Sequence, residues 1–286
     1  MIVIRGTAKD LGDGFAVARV LPQIERRAVG PFVFFDYFGP SYLQPGTGLD
    51  VRPHPHIGLA TVTYLLEGSQ VHRDSLGTVQ SIEPGDVNWM TAGRGIVHSE
   101  RTAPEVRAAG HTMHGIQSWV GLPMAYEETA PEFHHFPKSA LPTSEQGGVM
   151  LRLITGHAYG MVSPVRTFSP IFYVDAVFGA GASLPMTTDH PERAIFVVAG
   201  EVSLRGRSLQ VGDMAVLEAG EAATMQADAS ARAMLLGGAP LDGGPRHMWW
   251  NFVSSSRERI DQARLDWKNQ KIGKVAGDDE FIPLPG

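Results

Sequence analysis

Turn signals in the second half of the chain repeat those of the first half, with a spacing of 127 to 132 positions. Each signal closes a short run of aliphatic, aromatic or β-branched residues. A fixed internal period of this kind predicts two tandem copies of one structural unit. The matching segments are Tyr64–Gly68 with Phe196–Gly200, Pro84–Val87 with Val211–Met214, and Ala92–Gly93 with Ala219–Gly220.

The repeated unit has the pattern of a small β-barrel. The 286 residues include 33 glycines and 20 prolines, which interrupt many short Val, Ile, Thr and Tyr runs, and this pattern favours strands joined by tight turns. We therefore predict an all-β fold with two tandem barrels, in which residues 1–135 form the N-terminal domain and residues 136–286 the C-terminal domain. The segment 131–142 has no clear period and is the predicted connection.

The C-terminal end of the chain predicts an α-helix. Ser255-Ser256-Arg257-Glu258 fits a capping box with Ser255 as the cap, and Ile260, Ala263 and Trp267 follow at helical spacing. We expect this helix to pack on a barrel through its apolar side.

Two doublets of metal-ligand residues lie in the first half of the chain, His54-Pro55-His56 and His98-Ser99-Glu100. Residues i and i+2 of a strand point to the same face, so each doublet directs two donors the same way. If the hairpins between them close a barrel, both doublets meet inside it. Three imidazoles and one carboxylate would then bind a divalent transition metal with coordination positions left open.

The second copy of the repeat has lost most of these donors. His190-Pro191-Glu192 corresponds to the first doublet, but Met225 and Ala227 stand where His98 and Glu100 are expected. We therefore predict one metal site, in the N-terminal half.

Composition excludes several classes of function. The chain has no cysteine, which rules out disulfides, Cys-ligated zinc and iron–sulfur clusters. Its formal charge is −6 and it has no long Lys/Arg run, which argues against direct binding to nucleic acid. The N-terminus lacks a signal-peptide pattern, and no apolar stretch approaches the length of a membrane helix. We expect a cytoplasmic protein, with no membrane association and no pattern that requires an oligomer, and hence a monomer.

Four longer motifs resemble the signature of the pirins, two-barrel members of the cupin superfamily. The resemblance continues through His114–Val120 into the C-terminal helix and covers most of the chain. The motifs are His54-Pro55-His56-x-Gly58, Thr61–Gly68, His72–Gly77 and the run Trp89–Glu100.

This resemblance implies two cupin barrels, the double-stranded β-helix fold, of which only the N-terminal one holds a metal. The implied ligands are His54, His56, His98 and Glu100, and the implied metal is Fe(II), although Mn, Co, Ni, Cu or Zn would suit the same donors. Many pirins carry an acidic residue where this chain has Ala60. Because the fourth ligand of pirins comes from the second motif, we expect Ala60 to leave the metal bound, although it could alter the polarity of the barrel interior and hence the choice of substrate.

The resemblance also implies a function, with a rival. Some pirins show quercetin 2,3-dioxygenase activity, in which a flavonol and O₂ react with release of CO, and Glu100 could serve as the general base for the flavonol 3-hydroxyl. Other pirins are regulators, so the alternative is a non-catalytic, metal- or redox-responsive protein that acts through a protein partner. A cupin isomerase or hydrolase with a redox-inert metal is a third reading.

Several residues have a structural interpretation beside a functional one. We expect His72 to be exposed or hydrogen-bonded and not a ligand, and His134 and His135 to be solvated in the connecting segment. Trp89 and Met90 alternate on one strand, so one of them is expected to face the barrel interior. Arg94 is expected to pin a turn, with steering of an anionic substrate as the alternative.

Overall fold

A computed structural model describes residues 1–10 and 16–285 of the chain. In this part of the chain strands dominate. The strands of the first half are β1 (Ile2–Arg5), β2 (Thr7–Asp10), β3 (Ala16–Leu21), β4 (Phe32–Leu43), β5 (Asp50–His56), β6 (Leu59–Glu67), β7 (Gln70–Asp74), β8 (Val79–Ile82), β9 (Val87–Thr91), β10 (Ile96–Arg101), β11 (His111–Gly121) and β12 (Glu132–Phe136).

The second half continues in the same way. Its strands are β13 (Thr143–Gln146), β14 (Val149–Ala158), β15 (Met161–Val162), β16 (Ile171–Phe178), β17 (Ala182–Pro185), β18 (Glu192–Ala199), β19 (Val202–Leu204), β20 (Arg207–Leu209), β21 (Asp213–Leu217), β22 (Thr224–Ala227), β23 (Ala231–Gly238), β24 (His247–Trp249) and β25 (Phe252–Ser254). The α-helices of the described residues are α1 (Pro104–Ala109) and α2 (Arg257–Lys268), and short 3₁₀ turns cover Met124–Tyr126 and Lys138–Ala140. The predicted all-β fold with a C-terminal helix is confirmed.

The chain forms two compact units from interleaved segments. The apolar-core unit contains Met1–Lys9, Ala18–Tyr37 and Ser139–Pro240, and the histidine unit contains Asp10–Val17, Phe38–Lys138 and Leu241–Gly286. Both the C-terminal helix and the predicted ligands belong to the histidine unit. The division into residues 1–135 and 136–286 stays a prediction.

Two sheets build the histidine unit. One has the order β5-β10-β7-β8, and the other contains the run β12-β9-β6-β11. The sheets face each other, since the ring of His56 in the first lies 5.1 Å from that of Trp119 in the second. The ring of His72 likewise stacks on Phe133 at 4.3 Å. Side chains from both sheets thus fill one barrel interior.

The apolar-core unit has the same two-sheet plan with a different filling. Its sheets have the orders β1-β21-β18-β23-β16-β14-β13 and β17-β22-β19-β20. The buried side chains between them form one apolar cluster, which includes Leu184, Met225 and Ala227. Met225 and Ala227 are the residues that the repeat places at the positions of His98 and Glu100. The donors lost from the second copy are therefore replaced by core packing.

Helix α2 packs on the histidine unit. Ile260, Ala263 and Trp267 form its buried side and join a cluster with Ile57 and Val97, the neighbours of His56 and His98 in sequence. The helix begins one residue later than the sequence motif suggests, because Ser256 is the N-cap and accepts a hydrogen bond from the Arg259 amide at 3.2 Å. Ser255 instead donates to Glu127.

The segment predicted as a connection is partly a strand. β12 pairs with β9 along its whole length, from Glu132 opposite Thr91 to Phe136 opposite Val87. His135 is accordingly half-buried and hydrogen-bonded to the Asn88 side chain at 2.8 Å, whereas His134 is half-exposed. The expectation of solvation therefore holds for His134 and is wrong for His135, and residues 132–136 are a paired strand. No helix in the described ranges is long and apolar enough to span a membrane.

Candidate metal centre

Three adjacent strands present the polar side chains of the candidate site. β10 lies between β5 and β7, so that His98 is opposite His54 on one side and opposite Asp74 on the other, while Glu100 is opposite His72. Each strand contributes an i, i+2 pair to the same face. The two doublets predicted from the sequence are therefore brought together as expected, and a third doublet, His72-x-Asp74, joins them.

His54, His56 and His98 form a compact group suited to a metal ion. One candidate ligand nitrogen from each lies within 4.8 Å of the other two, and all three residues are buried. The ring centroids of His54 and His98 are 4.3 Å apart, and those of His56 and His98 are 4.9 Å apart.

The hydrogen bonds of these residues leave several nitrogen and oxygen atoms inside the barrel available as metal ligands. His54 uses Nδ1 in a 2.9 Å hydrogen bond with the Arg52 carbonyl, which leaves Nε2 for a ligand. Among the described residues, His56 Nδ1, His98 Nε2 and Glu100 Oε2 are buried without a hydrogen-bond partner. Buried polar atoms without partners are costly unless something binds them. A divalent metal would satisfy the histidine nitrogens, so the three imidazoles fit such an ion.

Burial sets the protonation states of the group. It lowers the pKa of His54 to about 4 and the pKa values of His56 and His98 well below the usual range. The imidazoles are therefore neutral near pH 7, the form that binds metals. Burial raises the pKa of Glu100 to about 8, since no described positive group offsets the loss of solvent. A metal cation beside Glu100 would favour its ionised form.

Glu100 lies on the same face as the histidines but at the edge of their group. Its Oε1 atom is 3.4 Å from His98 Nδ1, and the three-histidine group does not include it. Metal ligation and general-base catalysis by Glu100 therefore stay predictions.

The opposite sheet lines the space in front of the histidines. Met90 is opposite Thr61 on β6, which is in turn opposite Trp119 on β11. Because Trp119 contacts His56, this register directs Met90 toward the histidines and Trp89 to the other face of the sheet. Of Trp89 and Met90, Met90 is therefore the residue that faces the barrel interior.

The same register corrects the expectation for Ala60. Ala60 is opposite Thr91 and Val120, one residue out of step with the set that faces the histidines. Its side chain is buried on the opposite face of the sheet. A residue on that face does not change the polarity of the barrel interior, because the sheet separates it from the site.

The remnant of the first doublet in the second copy has structural partners. His190 Nε2 is 2.9 Å from the His157 carbonyl, and the His190 ring stacks on Phe172 at 4.9 Å. Glu192 accepts a hydrogen bond from the Gly30 amide and forms an ion pair with Arg26 at 2.8 Å. These contacts use the residues for packing and turn stability.

Sequence reasoning missed the role of His72 and Asp74. Both are buried, and His72 Nε2 lies 3.0 Å from Asp74 Oδ2. Of the two predicted alternatives, exposed or hydrogen-bonded, His72 is hydrogen-bonded. The sequence signal is the i, i+2 spacing of His72 and Asp74, which is the same as in the doublets His54/His56 and His98/Glu100.

Comparison with known proteins identifies the family. The Pirin family model matches residues 14–120, and the model for the pirin C-terminal cupin domain matches residues 173–273. A pirin-like protein from Caulobacter vibrioides is 48% identical over 288 residues, 99% of each chain. Human pirin is 34% identical over 271 residues, 92% of this chain and 89% of its own.

The solved structures agree. The crystal structure of a protein described as quercetin 2,3-dioxygenase from Acinetobacter baumannii superposes with a TM-score of 0.92 and 31% identity, and the match covers 100% of this chain and 95% of that one. The predicted tandem cupin fold is thereby confirmed. With both family models matched in order along the chain, this protein belongs to the pirin family of the cupin superfamily.

Proposed function

We propose that this pirin is a metal-dependent dioxygenase of the quercetin 2,3-dioxygenase type, which acts on a flavonol-like aromatic substrate and O₂. The observation that carries the proposal is the buried group of three neutral imidazoles beside Glu100, with unpartnered donor atoms inside a barrel. The similarity to the Acinetobacter baumannii protein supports it.

Four residues would hold the metal in this proposal. They are His54 through Nε2, His98 through Nε2, His56 and Glu100. With three neutral ligands and one carboxylate, a divalent ion keeps a net charge of about +1, which favours an anionic oxygen of the substrate. The bound metal, Fe(II) in this proposal, supplies a redox-active Lewis acid at which an oxidisable substrate and O₂ exchange electrons.

Glu100 is the proposed general base. A flavonol must lose its 3-hydroxyl proton to present an anionic oxygen, and an ionised carboxylate within reach can accept that proton. The Oε2 atom of Glu100 is buried and has no other partner in the described structure. Oε2 is the atom we assign to take the proton.

The sheet opposite the histidines provides the substrate surface. Trp119, Met90 and Phe133 offer apolar and aromatic contacts to a flat ring system. Polar pairs lie on the same face, with the Thr63 hydroxyl donating to Gln117 at 2.8 Å and His135 bonded to Asn88. This combination suits a planar molecule that carries hydroxyl groups.

Oxygen uptake tests the proposal. Protein purified without oxygen and reloaded with Fe(II) should consume O₂ in the presence of quercetin and release CO in equal amount. His98→Ala should lose both the metal and the uptake, whereas Glu100→Gln should keep metal and lose most of the turnover.

Absence of O₂ uptake would contradict the proposal. A fully metal-loaded protein that consumes no O₂ with any flavonol of a small panel would contradict the dioxygenase proposal. The alternative of a redox-responsive regulator would then be tested by comparing partner binding of the Fe(II) and Fe(III) forms.

A further inference from the structure

The third doublet, His72-x-Asp74, remains unexplained by the ligand set. Both side chains are buried on the face of β7 that carries the site. His72 Nε2 lies 3.0 Å from Asp74 Oδ2, and His72 Nδ1 lies 3.4 Å from His98 Nδ1. The three groups form a continuous chain from a carboxylate to a proposed metal ligand.

Asp74 determines which atoms donate and which accept in this series of hydrogen bonds. Its Oδ1 atom accepts hydrogen bonds from the Leu76 and Thr78 amides at 2.9 and 3.0 Å, which anchor the carboxylate in the turn after β7. An ionised carboxylate only accepts, so Oδ2 must receive the proton of His72 Nε2. A neutral imidazole with its proton on Nε2 has its lone pair on Nδ1.

The lone pair on His72 Nδ1 then faces His98. It can accept only if His98 carries its proton on Nδ1, and that tautomer leaves the His98 lone pair on Nε2. His98 Nε2 is the buried nitrogen that has no partner in the described structure. Glu100 Oε1 lies 3.4 Å from the same His98 Nδ1 atom, and a carboxylate oxygen there favours the same tautomer.

We call the hydrogen-bonded series Asp74–His72–His98 the relay, and packing against Phe133 holds it in place. Phe133 stacks on the His72 ring with centroids 4.3 Å apart and an interplanar angle of 19°. This contact restricts rotation of the ring away from Asp74 and His98. A partner that fixes both ring orientation and tautomer is what a metal-binding histidine requires.

We propose that Asp74 and His72 are positioning residues that hold His98 in the tautomer whose Nε2 atom binds the metal. The inference rests on the metal site of the proposed function and not on its dioxygenase chemistry. Loss of the relay is expected to weaken metal binding even where no substrate is present.

Asp74→Asn is the sharpest test because it reverses the direction of the hydrogen bonds between residue 74, His72 and His98 with little change in side-chain shape. The Asn oxygen can still accept from the turn amides, but its NH₂ group faces His72 Nε2 and must donate. His72 then carries its proton on Nδ1, opposite the N–H of His98. We expect the dissociation constant for Co(II), the probe, to rise by about 10- to 100-fold.

A second variant and a matched control complete the experiment. His72→Phe keeps a ring against Phe133 but removes the acceptor, and should also weaken Co(II) binding. Arg73→Gln lies on the other face of β7 and should bind as the unmodified chain does. Nitrogen-15 spectra of the histidines in the metal-free proteins should show His98 protonated on Nδ1 in the unmodified chain and on Nε2 in Asp74→Asn.

The outcomes separate the inference from the function. Co(II) binding by Asp74→Asn within twofold of the unmodified chain, with His98 still protonated on Nδ1, overturns the relay. If Asp74→Asn does not fold, unchanged binding by His72→Phe overturns it instead. Failure of the unmodified chain to bind Co(II) overturns the relay together with the metal site, whereas a loaded protein inactive toward flavonols contradicts only the dioxygenase proposal.

Discussion

His54 and His98 are direct register partners on the antiparallel strands β5 and β10, with ring centroids 4.3 Å apart. The two residues are 44 positions apart in the sequence. Their meeting depends on the hairpins that return β10 to lie beside β5, so the metal centre is a consequence of strand pairing.

The metal-free site should make stability depend on pH in two opposite ways. The lowered pKa of His54, about 4 against an ordinary 6.5, gives stability that is present above pH 6.5 and lost as the pH falls toward 4. The raised pKa of Glu100, about 8 against 4.5, gives stability that is present below pH 4.5 and lost as the pH rises through 8.

Glu100→Gln isolates the second effect. In urea unfolding of the metal-free proteins, the free energy of unfolding of the unmodified chain should fall relative to that of the variant between pH 5 and pH 8. The limiting slope is about 1.4 kcal/mol per pH unit. Parallel pH profiles for the two proteins would show that Glu100 titrates normally.

Met90 should contribute to substrate binding because it faces the histidines, whereas Val62 lies on the other face of the same sheet. Both side chains are buried, and truncation of either to alanine should cost on the order of 2–3 kcal/mol of stability. Met90→Ala should raise the anaerobic dissociation constant for quercetin about 5- to 10-fold, a loss of about 1 kcal/mol of contact, and Val62→Ala should change it little. Equal effects of the two variants would place the substrate elsewhere.

Part of this arrangement is predictable from the sequence. The i, i+2 spacing of His54/His56 and of His98/Glu100 predicts side chains on one face of a strand, and the turn signals predict the hairpins between them. His72 and Asp74 obey the same rule. The turn signal Asp74–Gly77 follows His72 closely and favours a structural interpretation of this histidine, and its partner His98 is distant in sequence.

Other features depend on tertiary pairing that a sequence does not display. β12 is the edge strand of its sheet run, lies between Pro131 and Pro137, and has no apolar alternation, so its pairing with β9 determines its conformation. The orientation of Ala60 follows from the register of β6 against β9 and β11. A one-residue shift of that register would turn Ala60 toward the site.

Glu127 should be a major contributor to the attachment of the C-terminal segment. This buried carboxylate forms an ion pair with Arg246 at 2.6 Å and accepts hydrogen bonds from Ser254 and Ser255, immediately before α2. Glu127→Ala leaves a buried arginine without this partner and should lower the free energy of unfolding by about 3–5 kcal/mol.

Its neighbour provides the control. Glu128 is more than half exposed and pairs with Arg259 on α2, so Glu128→Ala should cost less than about 1 kcal/mol. Urea unfolding of both variants measures the difference. A cost for Glu127→Ala no larger than that for Glu128→Ala would mean that the C-terminal segment is held mainly by the apolar contacts of α2.

Metal content is the most direct test of a single centre in the histidine unit. After loading with Fe(II) under anaerobic conditions and removal of excess metal, elemental analysis should find one iron per chain. His54→Ala should bind less than a tenth of that amount, and His190→Ala, the corresponding position of the repeat, should bind as much as the unmodified chain. Retention of iron by His54→Ala, or its loss from His190→Ala, would contradict the assignment of the metal centre.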